Sequence, residues 1–191
     1  VAWDVQLMPI QTENEYGRIA NATKAIAYAA KNNADIANMS FGMNLKRNPA
    51  EVMTFMTANG TLAEDSPNNI REIFNDKIKA FRLAKKADML LVIAAGNEGS
   101  RNTSLEEWGQ IGNNDRSLSP YNFLSYFYDH AITVASSDGM NQLSPFTNTG
   151  LTTDLAAPGG NTTETPKFGI LSSVPFGSKQ LVEQAAVEEL T

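Results

Sequence analysis

The chain contains a single histidine, His130, and no cysteine, and these two counts limit the chemistry that its side chains can perform. A multi-histidine metal site, a thiolate zinc site and a cysteine nucleophile are all excluded. Any Ser-His-Asp mechanism within this chain would have to use His130, which directly follows Asp129. An Asp-His pair could perform acid–base chemistry, whereas a lone histidine in a loop could be purely structural.

The hydrophobic pattern predicts the elements that must position such residues. Residues 5–10 have the pattern of a short buried strand, residues 19–32 that of an Ala-rich helix, and residues 35–40 that of a second strand. Strand, helix and strand in this order predict a βαβ unit with parallel strands. The polar segment 43–69 that follows is predicted to be an insertion with a short helical patch at 50–56.

A second helix, at 69–84, leads into the continuous apolar run MLLVIAA at 89–95. Such a run is typical of a strand that helices cover on both faces. Its carboxyl end carries Gly96-Asn97-Glu98-Gly99, at the position where open α/β sheets place functional groups. Further strands are predicted at 131–136, 155–157 and 169–174, and an amphipathic helix at 179–190.

Length and composition bound the class of protein. The chain has 191 residues, 42% of them hydrophobic, and a formal net charge of −6, which predicts one globular domain. The acidic balance argues against nucleic acid or anionic lipid as the main partner, because both need a basic surface. No apolar run approaches the ~20 residues that cross a bilayer, so we expect a soluble chain without a membrane partner.

Four segments, in this order, resemble the subtilisin-like serine protease (subtilase) family. They are DIANMSFG at 35–42, VIAAGNEG at 92–99, AITVASSDGMNQLSPFTNTGLTTDLAAPG at 131–159 and GILSSVP at 169–175. The resemblance implies a three-layer α/β/α fold with a mainly parallel sheet. It predicts a partial subtilisin-like catalytic domain at 1–175, containing the insertion at 43–69, followed by a divergent and helical tail at 176–191.

The resemblance also implies site residues. Asn97 matches the asparagine whose side-chain amide donates a hydrogen bond to the developing oxyanion of the scissile carbonyl group. The edge that hydrogen-bonds an extended substrate backbone is matched by Ser40, Phe41 and Gly42. The wall and rim of the pocket for the residue preceding the cleaved bond are matched by Ala94, Ala95, Gly96 and Glu98.

The chain also departs from the family pattern. It has no Asp-Ser-Gly or Asp-Thr-Gly motif, no His-Gly motif and no Gly-Thr-Ser-Met-Ala motif, so the catalytic triad is missing. His130 does not match the family's histidine, which favours a structural histidine in a loop near the surface. Without a base in reach, Ser40 and the serines at 172, 173 and 178 are not expected to be nucleophiles.

These observations predict a segment of a serine endopeptidase that hydrolyses peptide bonds through an acyl-enzyme, with the isolated chain inactive. The missing motifs indicate an internal segment of a longer protease, with a decayed homologue or a chain completed by another polypeptide as the alternatives. A different class of function is a pseudo-protease that captures extended peptides on residues 40–42 by β-augmentation. A Rossmann-like enzyme is disfavoured because no Gly-x-Gly-x-x-Gly loop follows the first strand.

No cofactor is expected, except that structural Ca²⁺ could bind the acidic and amide-rich stretches at 13–15 and 113–115. The expected partner is an extended peptide or protein substrate, and the parent protein is expected to be secreted or bound to the cell envelope. The aromatic residues at 121–128 are expected to pack beneath the following strand rather than line a specificity pocket.

Overall fold

The computed structural model describes residues 4–12, 22–41, 49–97, 101–102, 119–150 and 152–160. The helices in these residues are α1 (Ala22–Lys31), α2 (Pro49–Thr54), α3 (Asn68–Lys86) and α4 (Pro120–Ser125). The strands are β1 (Ile36–Met39), β2 (Leu90–Ala94), β3 (Arg101–Asn102), β4 (Ala131–Ser137), β5 (Thr149–Gly150) and β6 (Leu155–Pro158).

The two long helices form where apolar residues recur at helical spacing. In α3, Ile70, Phe74, Ile78 and Phe81 are buried on one stripe, and α1 buries its small residues and Ile26 in the same way. Lysines lie in the last turn of both helices, where their positive charge stabilises the negative end of the helix dipole. The helices predicted at 19–32 and 69–84 are confirmed, as is the helical patch in the segment 43–69.

The main sheet has four strands in the order β1-β2-β4-β6, and every neighbouring pair is parallel. A short parallel pair, β3 and β5, lies outside it. α3 packs against both α1 and α4, and α3 and α4 also contact the sheet. This arrangement confirms the predicted α/β class with a mainly parallel sheet.

The sheet is more deeply buried on one face than on the other. Leu91 and Ile93 of β2 are fully buried, as is Thr133 of β4, whose hydroxyl lies 2.9 Å from that of Ser125 in α4. The alternate residues Leu90 and Val92 are only half-buried. In the described residues, the side chains of β2 thus alternate between a covered face and a partly covered face.

The structure forms no strand at residues 5–10, where the sequence predicts one. These residues make no ladder with the sheet, and Leu7 is 88% exposed. An apolar run becomes a buried strand only when a neighbouring strand satisfies its backbone and a second layer covers it. The strands predicted at 35–40, 89–95, 131–136 and 155–157 are confirmed, whereas the strand at 169–174 and the helix at 179–190 lie outside the described residues.

Two further findings concern the described part of the chain. No helix there is long and apolar enough to cross a bilayer. No group of three or more His, Asp or Glu side chains there could hold a metal ion. The candidate calcium stretches at 13–15 and 113–115 lie outside the described residues.

Candidate functional site

The candidate site residues lie at the carboxyl edge of the parallel sheet. Met39, the last residue of β1, pairs with Ile93 of β2, so Ser40 and the end of β2 extend side by side beyond the ladder. Parallel strands bring their carboxyl ends to one edge, which is where α/β folds place ligands. The structure therefore brings Ser40 and Phe41 together with Ala94, Ala95, Gly96 and Asn97. Gly42 and Glu98 lie outside the described residues.

The backbone that leads to Asn97 is held at three successive residues. The side-chain Nδ2 of Asn122 donates to the carbonyl oxygen of Ala94 at 2.9 Å. The amide of Ala95 donates to Val134 of β4 at 2.9 Å, and the carbonyl oxygen of Gly96 accepts from the amide of Asn148 at 3.0 Å. Each contact comes from a different part of the chain, so the end of β2 is fixed by tertiary structure.

Gly96 turns the chain out of the sheet. Its φ of 105° lies in the region that residues with a Cβ rarely adopt. The following Asn97 is exposed to solvent. An exposed amide on a fixed turn can donate a hydrogen bond to an oxygen of a bound molecule, which is what an oxyanion donor must do.

The predicted pocket wall divides between the two faces of the sheet. Ala94 is exposed, whereas Ala95 is 4% exposed and lies on the covered face with Ile93. Successive residues of a strand point to opposite faces, so only one of the two alanine side chains is open to solvent.

Phe41 is anchored on the helical layer, while Ser40 remains exposed. The Phe41 ring meets Tyr121 edge-on, with centroids 6.2 Å apart. Tyr121 is buried, which raises the pKa of its hydroxyl, although a side-chain hydrogen bond to Thr23 opposes the rise. Lys77 lies over the Tyr121 ring at 5.8 Å, and burial lowers the pKa of its ammonium group.

His130 lies at the edge of the sheet where the strands begin, opposite the edge that carries Asn97. It precedes Ala131, which pairs with Leu91 near the start of β2, and the five residues of β2 span roughly 13 Å at ~3.3 Å per residue. The imidazole Nε2 lies 2.9 Å from the carbonyl oxygen of Phe81, and burial lowers the pKa of the ring. The structural interpretation of His130 is thus supported, and the side chain, 11% exposed, lies 3.8 Å from the solvent-exposed carboxylate of Asp129, close to the surface.

The sequence analysis missed the polar cluster that supports the site. The cluster lies where α4 meets the sheet. It consists of Asn122 and Ser125 of α4 and Thr133 of β4, which are 4%, 7% and 0% exposed. A signal was present, since Asn122 and Ser125 are three residues apart in an otherwise apolar helix and therefore share a face. Of the neighbouring aromatic residues, Tyr121, Phe123 and Tyr128 are buried, which agrees with their predicted packing role, whereas Tyr126 is 45% exposed.

These features define an α/β protein with a polar, solvent-accessible turn at the carboxyl edge of a parallel sheet. The sequence model of the subtilase family matches residues 1–186. The chain therefore belongs to the subtilase family of serine proteases. No curated protein matches it.

Solved structures of proteases resemble the chain. A lanthipeptide protease is 24% identical at a TM-score of 0.58, with 85% of this chain and 40% of that chain covered. The epidermin leader peptide processing serine protease EpiP from Staphylococcus aureus is 27% identical at a TM-score of 0.48, covering 78% and 32%. The nisin leader peptidase NisP from Lactococcus lactis is 20% identical at 0.48, covering 86% and 41%. The chain thus spans less than half the length of these solved chains.

Proposed function

We propose that this chain supplies the oxyanion donor and the peptide-binding edge of a subtilisin-like serine endopeptidase. The observation that carries the proposal is the turn at Gly96, which leaves the Asn97 amide exposed beside the carboxyl end of β1. A peptide in extended form would pair with residues 40–42, with its scissile carbonyl oxygen near the Asn97 side chain. The substrate class is therefore an extended peptide or protein segment.

Asn97 acts in this proposal at the step where charge develops. When a nucleophile attacks the scissile carbonyl carbon, the oxygen gains negative charge, and a positioned amide donor stabilises it more than it stabilises the substrate. Ala94 forms the open part of the wall for the residue before the cleaved bond, and its small side chain leaves room for a large one. Because the triad motifs are absent, we expect the isolated chain to hydrolyse no peptide.

The experiment compares the isolated chain with the full product of its gene, using a chromogenic peptide with and without a serine-directed inhibitor. We expect inhibitor-sensitive hydrolysis by the full product only. Replacing Asn97 by Ala should lower its kcat about 10²- to 10³-fold, the loss measured for the equivalent donor in subtilisin itself, with little change in KM. The matched control is Asn32→Ala, at an exposed asparagine that precedes β1 at the other edge of the sheet.

Two results would contradict the proposal. One is a full gene product without inhibitor-sensitive hydrolysis, and the other is an Asn97→Ala variant with unchanged kcat. Inhibitor-sensitive hydrolysis by the isolated chain would instead show that a nucleophile and a base are present within these residues.

A pseudo-protease that only binds peptides is the second candidate. It is favoured by the position of β1 at the end of the described strand order and by the exposure of Ser40, since a strand edge can accept an added strand. It predicts saturable binding of an extended peptide by the chain and no turnover by the full gene product. Calorimetric titration of an uncleavable peptide, with a proline-substituted peptide as control, tests the binding, and the presence or absence of turnover by the full gene product separates the two functions.

A further inference from the structure

The carbonyl group of Ala94 points away from β4, to the side of the sheet where β1 has already ended. The amide of Leu90 donates to Asp35 on the β1 side, whereas the amides of Leu91 and Ala95 donate to residues on the β4 side. Backbone polar groups of successive strand residues alternate in this way. Ala94 therefore faces the β1 side, one residue beyond the last β1–β2 pair, Met39 and Ile93.

The partner that this carbonyl group finds is a side chain. Asn122 Nδ2 donates to it at 2.9 Å, across 28 residues of sequence. The β1–β2 ladder ends before this carbonyl group, so the Asn122 side chain supplies the hydrogen bond that the ladder does not. The contact also lies where β1 and β2 separate, beside the proposed peptide-binding edge.

Both the backbone and the side chain of Asn122 take part in a buried polar cluster. Ser125 Oγ donates to the backbone carbonyl of Asn122 at 2.7 Å and lies 2.9 Å from the hydroxyl of Thr133. The Asn122 amide also lies 3.5 Å from that hydroxyl. An apolar side chain would fill the same volume without any need for these partners, so burial alone does not explain an asparagine here.

We infer that Asn122 is a positioning residue that fixes the end of β2 and thereby orients the exposed amide of Asn97. This inference rests on the proposed function of Asn97. Ala94 is three residues before Asn97, and a displacement of the donor by about 1 Å can cost on the order of 10²-fold in rate. Asn122 does not touch the substrate, because its side chain is 4% exposed and directed at the Ala94 carbonyl group.

A double-mutant cycle in the full gene product tests the inference. Asn122→Ala should lower kcat by about tenfold or more with KM within about twofold, because a displaced oxyanion donor affects the transition state more than substrate binding. In an Asn97→Ala background the same change should lower kcat less than about twofold, since the group that Asn122 orients is already gone. Equal losses in both backgrounds, or no loss in either, would overturn the inference.

The control for a general loss of stability is Ser66→Ala. Ser66 is 5% exposed and its Oγ donates to the carbonyl oxygen of Ala63 at 2.7 Å, so the variant removes a comparable buried hydrogen bond away from β2. We expect its kcat to stay within about twofold of the wild type. A loss in Ser66→Ala equal to that in Asn122→Ala would count against a specific role for Asn122.

A readout on the isolated chain keeps this inference separate from the proposed function. The amide of Ala95 donates to β4 just beyond the contact, and the amide of Leu91 donates near the start of the same strand. In Asn122→Ala, hydrogen exchange at Ala95 should accelerate about tenfold relative to Leu91, because opening is local. An unchanged ratio would overturn the positioning role. A full gene product without peptidase activity would contradict the proposed function while leaving this ratio measurable.

Discussion

Acidification is expected to destabilise this chain through His130. The carbonyl oxygen of Phe81, 2.9 Å from Nε2, can only accept a hydrogen bond, so Nε2 carries the proton of the neutral ring. The ring lies edge-on to Phe81 and Tyr128, with centroids 6.4 and 5.6 Å away, and a second proton on Nδ1 would place a charge among them. Burial therefore lowers the pKa of His130, although the Phe81 carbonyl and the Asp129 carboxylate partly offset this.

The sign of the effect follows from proton linkage. The unfolded chain binds a proton at the ordinary histidine pKa of 6.5, before the folded chain does. The contribution of His130 to stability is thus fully present above about pH 6.5 and is lost as the pH falls towards the lower folded pKa. One proton limits the loss to about 1.4 kcal/mol per pH unit. The side chain is 11% exposed and lies beside the solvent-exposed Asp129, so solvent screening keeps the loss below this limit.

The assay is urea unfolding of the wild type and of His130→Gln at about pH 7.5, 6.5 and 5.5. Glutamine retains an N–H donor for Phe81 but does not titrate, so the variant removes the linkage and keeps the contact. The free energy of unfolding of the wild type should fall more than that of the variant between the two lower pH values. A difference between the two proteins that stays constant with pH, or one that grows in favour of the wild type on acidification, would refute the reasoning.

Two further substitutions test how the backbone is held. Gly60 has a φ of +67°, and a Cβ there would lie 2.7 Å from the Cβ of Phe127, so Gly60→Ala should lose about 1–3 kcal/mol in thermal or urea unfolding. Gly139→Ala, whose Cβ would meet nothing within 4 Å, is its control and should change stability by less than about 0.5 kcal/mol. The carboxylate of Asp154 accepts the amide of Thr133 at 2.7 Å, so Asp154→Ala should lose about 1–2 kcal/mol in urea unfolding while Asp154→Asn, which keeps an oxygen acceptor, loses less. Equal stability of the members of either pair would contradict these assignments.

The central strands and helices of the fold could be predicted from the sequence because their patterns are strong and local. The apolar stripe of α3 and the continuous apolar run of β2 each identify an element without reference to the rest of the chain. Residues 5–10 show the limit of this reasoning. Their apolar pattern favours a strand, but a strand exists only where a neighbour pairs with it, and Leu7 remains 88% exposed. Pairing is a tertiary property that a local pattern does not contain.

The burial of single side chains was harder to predict. The loop position of His130 suggested a place near the surface, but its contacts with Phe81 could not be predicted, because Phe81 is 49 residues away in sequence. A lone carboxylate beside a strand is ordinarily a cap or a solvated turn, yet the carboxylate of Asp154 accepts a hydrogen bond from the backbone amide of Thr133 in β4. In both cases a long-range backbone partner determines the role of a polar side chain.

The candidate site contains both a local motif that the sequence reveals and long-range partners that it does not. The motif around Asn97 is contiguous, so a resemblance in sequence could identify it, and Gly96 supplies the turn from within the motif. The groups that fix this turn are not contiguous, because Ala94 is bound by Asn122 and Gly96 by the amide of Asn148. The orientation of Asn97 therefore depends on α4 and on the segment after β4. A motif can thus identify the proposed donor, but only the assembled helix and sheet can position it as the proposed role requires.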